Sequence, residues 1–346
     1  MSVKWTGAER LALLLGILLL TVGADQAMAA GYAVGHESIS GAGVAYAGGA
    51  AAASDASTIN ANPAGMTQLN GDQMVVGAHF IDPNIDFDDL GSVNFDGTPL
   101  TGGDGGDGAK KAAIPVFYYM WDMDNGVRLG LGVNAPYGLV TKYNSDWQGR
   151  YNEITTSLKT INVNPSAAYQ VTDRLSVGGG FDLQYIRAKL LQALDFGAVC
   201  VGALGAPTCA AGFGLAPQAS DGAGLVSGWD LAYGYNGGLL YELAEGTRIG
   251  VHYRSKIEYE IEVDAEFVVP AGARAFFTAV GAPTAFTDGG ARVKLTIPET
   301  FSASIYHEID PRWAVMADVT WTRWSQFEEV RVRFDNPATP ANVLPD

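Results

Sequence analysis

Cysteine is almost missing. Cys200 and Cys209 are the only two in 346 residues. No histidine or acidic cluster lies beside them, which excludes a zinc site built on that pair. In an exported chain they are expected to close one short disulfide loop. Histidine is scarce and scattered, at His36, His79, His252 and His307. No G-x-S-x-G, H-E-x-x-H or glycine-rich phosphate loop between strand and helix occurs. No catalytic residue, metal or cofactor is therefore expected, and the chain does not read as an enzyme. Positive charge is also short: 21 Lys and Arg against 37 Asp and Glu leave a formal charge of -16. Without basic clusters the chain has no footprint for nucleic acid. Beyond the first 29 residues no run of 18 apolar residues exists, which excludes a membrane-spanning helix there.

What is present begins with a leader. Lys4 and Arg10 bracket a charged start, Leu11 to Gly23 is a short apolar run, and Ala27-Met28-Ala29 is a small-x-small cleavage site. Residues 1–29 read as a signal peptide, with the mature chain starting at Ala30. An exported chain with strands and no spanning helix is periplasmic, secreted or an outer-membrane barrel.

Residues 30–71 are built almost wholly of Gly, Ala, Ser, Asn and Asp. They show no long hydrophobic period and too few large apolar side chains to make a core. A disordered linker and a plug inside a larger structure both fit that composition. The strands that follow favour the plug.

From Gly71 onward the period is 2. Strands are expected at 72–81, 112–121, 127–143 (interrupted by Pro136 and Gly138), 160–171, 175–185, 227–243, 247–263, 292–308 and 313–334. Ile161, Val163, Pro165, Ala167 and Tyr169 share one face, and Asn162, Asn164 and Ser166 the other. Phe181, Leu183 and Tyr185 likewise oppose Gly180, Asp182 and Gln184. Apolar residues outside, small and polar ones inside, and Tyr or Trp near strand ends describe a lipid-embedded antiparallel β-barrel. The turns at 122–126, 172–174, 244–246 and 309–312 are short, and the connections at 82–111, 192–226 and 264–290 are long. That alternation matches periplasmic turns and extracellular loops. About nine strands is an odd number, whereas bacterial barrels close with even ones. The 72–346 barrel is therefore expected to be truncated at its C-terminus.

At this point a family resemblance enters. The chain resembles the FadL-type outer-membrane transporters of long-chain fatty acids and aromatic hydrocarbons. The matching pieces include Ala30-Gly31-Tyr32, Ser38 to Gly43, Ala45 to Gly48, Asn62-Pro63-Ala64, Pro136-Tyr137-Gly138-Leu139, Tyr253-Arg254-Ser255, Leu295 to Glu299 and Trp321 to Phe327. They run in family order from Ala30 to about Phe334. The resemblance implies an all-β, fourteen-stranded barrel with an N-terminal hatch holding Asn62, Pro63 and Ala64. It implies a passive route for a long-chain fatty acid or hydrocarbon. That route runs from an extracellular apolar groove to a pocket beside the hatch, and out sideways at a kink in the third strand, here Pro136, Tyr137 and Gly138.

Within that frame the two apolar loops supply groove candidates: Phe196, Val199, Leu204 and Phe213 from one, Phe267, Phe276, Phe277 and Phe286 from the other. Exposed apolar loops usually mark binding surfaces; packing into the loops' own small cores is the alternative. A fatty-acid carboxylate needs a cation, and Arg187, Lys189 and Arg254 are the candidates, unless they pair with luminal acids or meet lipopolysaccharide. Gln192 stands where fatty-acid members carry an Arg, which favours a neutral hydrocarbon. The expected setting is the outer membrane of a Gram-negative bacterium, as a monomer among outer-membrane lipid and lipopolysaccharide. A porin for polar solutes would need an open charged lumen, against the plug and the apolar loops. A surface adhesin or receptor barrel would bind through its loops alone.

Overall fold

The computed structural model describes residues 32–35, 37–94, 97–327, 330–340 and 342–344. The leader over 1–29, the Ala30-Gly31 start and His36 lie outside the described residues.

One sheet contains fourteen strand segments, antiparallel at every strand pair. They are β1 (Gln73–Ile81), β2 (Ala112–Asp122), β3 (Val127–Asn134), β4 (Gly138–Lys142), β5 (Thr155–Gln170), β6 (Leu175–Asp195) and β7 (Asp221–Ala244). Then come β8 (Thr247–Arg254), β9 (Ile257–Val268), β10 (Gly289–Ile297), β11 (Thr300–Asp310), β12 (Trp313–Thr322), β13 (Val330–Phe334) and β14 (Asn342–Leu344). Tight turns join β2 to β3, β5 to β6, β7 to β8 and β11 to β12, so these neighbours pair as hairpins.

Several expected strands are longer, and several are broken. β5 begins at Thr155 rather than Thr160, and β6 runs ten residues past Tyr185, to Asp195. The 127–143 span divides into β3 and β4. Asn134 opposes Asn162 and Gly138 opposes Lys159, so three residues of this span face two of β5. One extra residue makes a bulge. Its cause is Pro136, which has no N–H for a ladder. The 247–263 span divides into β8 and β9, and 292–308 into β10 and β11, where Pro298 sits at the break. The 313–334 span divides into β12 and β13 around a 3₁₀ turn at Trp324–Gln326.

The breaks at 255–256 and 298–299 turn the strands over. In β8 and β11 the even-numbered residues point inward, among them buried His252 and Ser304, while Ile249 and Phe301 are exposed outside. In β9 and β10 the odd-numbered ones point inward: Ile257, Tyr259, Ile261, Val293, Leu295 and Ile297 are buried, and Glu258, Glu260, Glu262 and Lys294 are exposed. Uniform apolar-out alternation therefore holds only below the breaks. The reason is the solvent. On β5 and β7 the outward apolar stretches run from Ile161 to Tyr169 and from Leu231 to Leu243. At about 3.3 Å per residue and the usual tilt these reach about 20 to 30 Å, bracketing the roughly 25 Å apolar band of such barrels. Above that band water faces the wall, and apolar side chains turn inward.

The lower interior is filled by the chain's N-terminal part. It folds as α1 (Ile39–Ala42), α2 (Gly49–Ala52), α3 (Thr58–Ala61) and a 3₁₀ helix over Pro63–Gln68. A side chain at Gly130 would meet Met66 and Ile59, one at Gly178 the Pro63-Ala64 backbone, one at Gly238 Asn62, and one at Gly250 the Ala50 carbonyl. Four strands thus carry glycine where the plug packs closest, against its backbone at Gly178 and Gly250 and its side chains at Gly130 and Gly238. Two of the long connections also fold: α4 (Phe196–Leu204) and α5 (Ala206–Phe213) lead into β7, and α6 (Ala271–Ala279) joins β9 to β10.

Candidate functional site

Asn62 caps the 3₁₀ helix, accepting from the Ala64 amide at 3.1 Å, as Pro63 occupies the first turn without needing a partner. Its amide nitrogen donates to the Ala50 carbonyl at 2.7 Å and to the Leu239 carbonyl of β7 at 3.0 Å. One fully buried side chain therefore ties the 3₁₀ helix to α2 and both to the wall.

A second anchor is ionic. Asp182 on β6 is completely buried and accepts from Asn162 at 2.7 Å, Asn164 at 3.1 Å, Asn236 at 2.9 Å and Arg254 at 2.5 Å. Arg254 also donates to the Asn60 carbonyl at 3.0 Å and to Asn60 Oδ1 at 2.9 Å. A buried ion pair is tolerated when its remaining hydrogen-bond capacity is met, as it is here. Arg254 is thus committed to holding α3. Beside this network lies a cavity of about 640 Å³ lined by both plug and wall, including Ser57, Asn60, Gln184, His252 and Arg254.

Above the plug the interior changes character. Ile186, Ile257, Tyr259, Ile261, Leu295 and Ile297 form an apolar cluster with Tyr137, and Tyr32, Val226, Phe327 and Phe334 pack against it. Val226 and Phe334 also line a groove of about 170 Å³ between the loops, with Leu190, Gln192, Leu194, Phe267, Phe286 and Pro340. Apolar packing is therefore continuous from the loop groove, through Val226 and Phe334, down to Tyr137.

Tyr137 stands at the strand break. β2 pairs with β3 through Phe117 to Asp122, and β4 pairs with β5 alone, so no ladder joins β2 to β4. The plug's first described residues pair with the break. The Val34 amide donates to the Pro136 carbonyl at 2.9 Å, and the Gly138 amide to the Tyr32 carbonyl at 2.9 Å. The Tyr32 ring lies 5.6 Å from Tyr137, 5.6 Å from Trp324 and 5.4 Å from Phe327. Burial, with Tyr137 alongside, raises the Tyr32 phenol above its ordinary pKa, so it stays neutral. Its buried hydroxyl has no hydrogen-bond partner among the described residues.

The sequence-expected residues divide accordingly. Phe267 and Phe286 reach the groove, their rings 5.5 Å apart. Phe196, Phe276 and Phe277 are buried in a loop core with the Cys200–Cys209 disulfide; Phe213 packs against it, as do the groove residues Phe286 and Leu194. Val199 and Leu204 are exposed. Arg187 and Lys189 stand on the outward face of β6, away from the groove, because the odd-numbered residues of β6 point out. Gln192, on the inward face, lines it. Leu194, an apolar residue of the 192–226 loop, also reaches the groove, whereas Leu190, Val226 and Phe334 were not singled out from sequence. The signal for them was the change along β6, where inward Asp182 and Gln184 give way to Ile186, Ala188 and Leu190.

The family described as outer membrane protein transport protein (OMPP1/FadL/TodX) matches residues 20–342. The long-chain fatty acid transport protein of Escherichia coli (strain K12) is 31% identical over 324 residues, covering 88% of this chain and 69% of that protein. A putative outer membrane protein of Neisseria meningitidis serogroup B is 32% identical over 316 residues, covering 90% and 68%. A Pseudomonas aeruginosa FadL homologue of known structure superposes with a TM-score of 0.81 at 23% identity, covering 91% of this chain and 73% of that one. The Ralstonia pickettii toluene transporter TbuX gives 0.57 at 20% identity, covering 86% and 76%. With the family model matching nearly the whole sequence and a relative 31% identical, the chain belongs to the OMPP1/FadL/TodX family of outer-membrane transport β-barrels.

Proposed function

We propose that this protein carries hydrophobic compounds, long-chain fatty acids first among them, passively across the outer membrane. The observation that supports this most is the unbroken apolar packing from the groove at Phe267 and Phe286, through Val226 and Phe334, to Tyr137 at the strand break. An apolar chain entering from outside is desolvated in the groove, gaining about 0.8 kcal/mol per methylene buried. It passes among Ile257, Tyr259 and Leu295. Below it the plug and the Asp182–Arg254 network present a polar floor. The remaining apolar direction is sideways, through the unladdered gap at the break with which Tyr32 to Val34 now pair. No step needs a nucleotide or a catalytic residue, and the reading assigns none. Residues 30–71 act as the plug and 72–346 as the barrel wall.

The same relatives bear on the cargo. The Escherichia coli relative is named for long-chain fatty acids. In this chain the groove offers the Gln192 amide, and the inner end offers the Tyr32 hydroxyl, as donors to a carboxyl group. A second reading, an aromatic or aliphatic hydrocarbon, is favoured by one observation: among the described residues the groove lining contains no cation. Uptake of labelled oleate and labelled toluene by cells lacking their own transporter and carrying the full-length gene separates the two. Oleate uptake is expected. Toluene uptake alone selects the hydrocarbon reading. Uptake of neither, with the barrel folded in the membrane, removes the transport reading and leaves a surface adhesin or receptor.

A further inference from the structure

The outward face just above the apolar band is not uniform. Register fixes one row across it: Lys159 opposes Arg187, Arg187 opposes Trp229, Trp229 opposes Glu262, and Glu262 opposes Arg292. On the β9–β10 side acids and cations interleave, and Lys294 lies 3.9 Å from Glu260. On the β5–β6 side they do not. Lys159 and Arg187 are direct cross-strand neighbours, and Lys189 follows two residues along, opposite Ser157. All three are exposed, and none has an ion pair among the described residues. The nearest acids in register on this face, Glu262 and Asp264, are two strands away.

Like charges placed directly opposite in a sheet destabilise it. In a chain with a formal charge of -16 such a cluster is not a by-product of composition. Its height is informative. Ile161 and Tyr185, the next outward residues below Lys159 and Arg187, belong to the lipid-facing stretch. The cations thus stand where the headgroups of the outer leaflet begin. Trp229 flanks them, an aromatic side chain suited to that interface. Fixed cations at that level are complementary to phosphate, and Arg adds a planar bidentate fork.

We propose that Lys159, Arg187 and Lys189 form a docking surface for the phosphates of lipopolysaccharide in the outer leaflet. The surface rests on the outer-membrane setting but not on what the barrel transports. It would hold one phosphorylated glycolipid against the β5–β6 face, close to the β4 side of the strand break.

The test uses the full-length protein, purified in mild detergent from outer membranes, with bound lipopolysaccharide measured per barrel. Lys159→Gln, Arg187→Gln and Lys189→Gln combined are expected to lower it at least about tenfold, given the strength of basic residues near an anionic surface. Arg292→Gln with Lys294→Gln on the mixed side should leave it unchanged. Heat stability of the unaltered barrel gives a readout that needs no variant. Diphosphorylated lipid A should raise the unfolding temperature, and its dephosphorylated form should not. Equal retention by the triple variant, equal stabilisation by both lipid forms, or the same stabilisation by inorganic phosphate alone would overturn the assignment. Hydrophobic-compound uptake by the triple variant reports separately on the transport reading.

Discussion

The Gly138 amide donates to the Tyr32 carbonyl at 2.9 Å, so the plug's first described residues pair with the third span at its break. Ala33 and Tyr137 form the bridge between these hydrogen bonds. Opposed residues in an antiparallel pair lie about 4.5 to 5.5 Å apart at Cα, within the range a disulfide spans. Ala33→Cys with Tyr137→Cys should therefore lock the gap. Uptake of a hydrophobic compound should fall at least about tenfold under oxidation and recover on reduction. The single variants control for reduction of Cys200–Cys209. Undiminished uptake in the locked form would rule out this gap as the exit.

Removing the Tyr32 ring should have the opposite sign. Tyr32→Ala gives up three aromatic contacts, each worth about 0.5–1.5 kcal/mol beyond area burial. The Tyr32–Val34 segment should detach more often. Hydrogen exchange at the Gly138 amide should speed up by about tenfold or more, with the barrel's heat stability little changed.

Asn62 is expected to be the most costly plug residue to lose. Asn62→Ala leaves the Ala50 and Leu239 carbonyls and the Ala64 amide without this partner, at about 1–3 kcal/mol for each buried group left unsatisfied. Small hydrophilic solutes should then leak through the barrel in a liposome-swelling assay. Gly238→Ala brings a methyl group against Asn62 Oδ1 and should produce a similar leak. Combining the two changes should cost less than their sum, since both act on one contact.

The Asp182–Arg254 pair predicts an asymmetry. Asp182→Ala alone leaves Arg254 uncompensated beside the plug, and breaking such a pair costs about 3–5 kcal/mol. Asp182→Leu with Arg254→Met removes both charges and should unfold at a higher temperature than the single variant. Heat-modifiability on gels reads both.

In the groove, Phe267→Ala and Phe196→Ala should separate binding from folding. Phe267 lines the groove, and its loss should weaken uptake at low cargo concentration while leaving the maximal rate nearly intact. Phe196 is buried in the loop core, and its truncation should cost about 3–5 kcal/mol of loop stability. Gln192→Arg adds a charge-assisted donor. If oleate is the cargo its half-saturating concentration should drop by up to about tenfold, with toluene unaffected.

The nine spans were legible because period-2 alternation survives in Thr160 to Tyr185 and in each later segment. Which way a segment faces was not legible. Ile-Glu-Tyr-Glu-Ile-Glu at 257–262 alternates as cleanly as any lipid-facing strand, yet its apolar face is inside. Alternation is local, while facing is set by whether lipid or water lies outside. The plug's helices escaped notice for a related reason. Each of α1, α2 and α3 is four residues long, too short to hold without tertiary packing. What fixes them is the glycine-lined wall many residues away. Apolar loop composition likewise could not separate Phe286, which lines the groove, from Phe276, which is confined to the loop core.

The inversion of β9 and β10 relative to β8 and β11 sets the direction of a free-energy gradient. For an apolar solute the upper interior offers an apolar lining, whereas below it stand the packed plug and the polar Asp182–Arg254 network. Descent along the barrel axis is therefore favourable to the level of the breaks and unfavourable beyond it. On the proposed route, the hydrocarbon of the membrane begins just below that level outside the wall, at matching polarity. The coordinate that stays level on that proposed route turns from vertical to radial at the place where the third span lacks its ladder to β2.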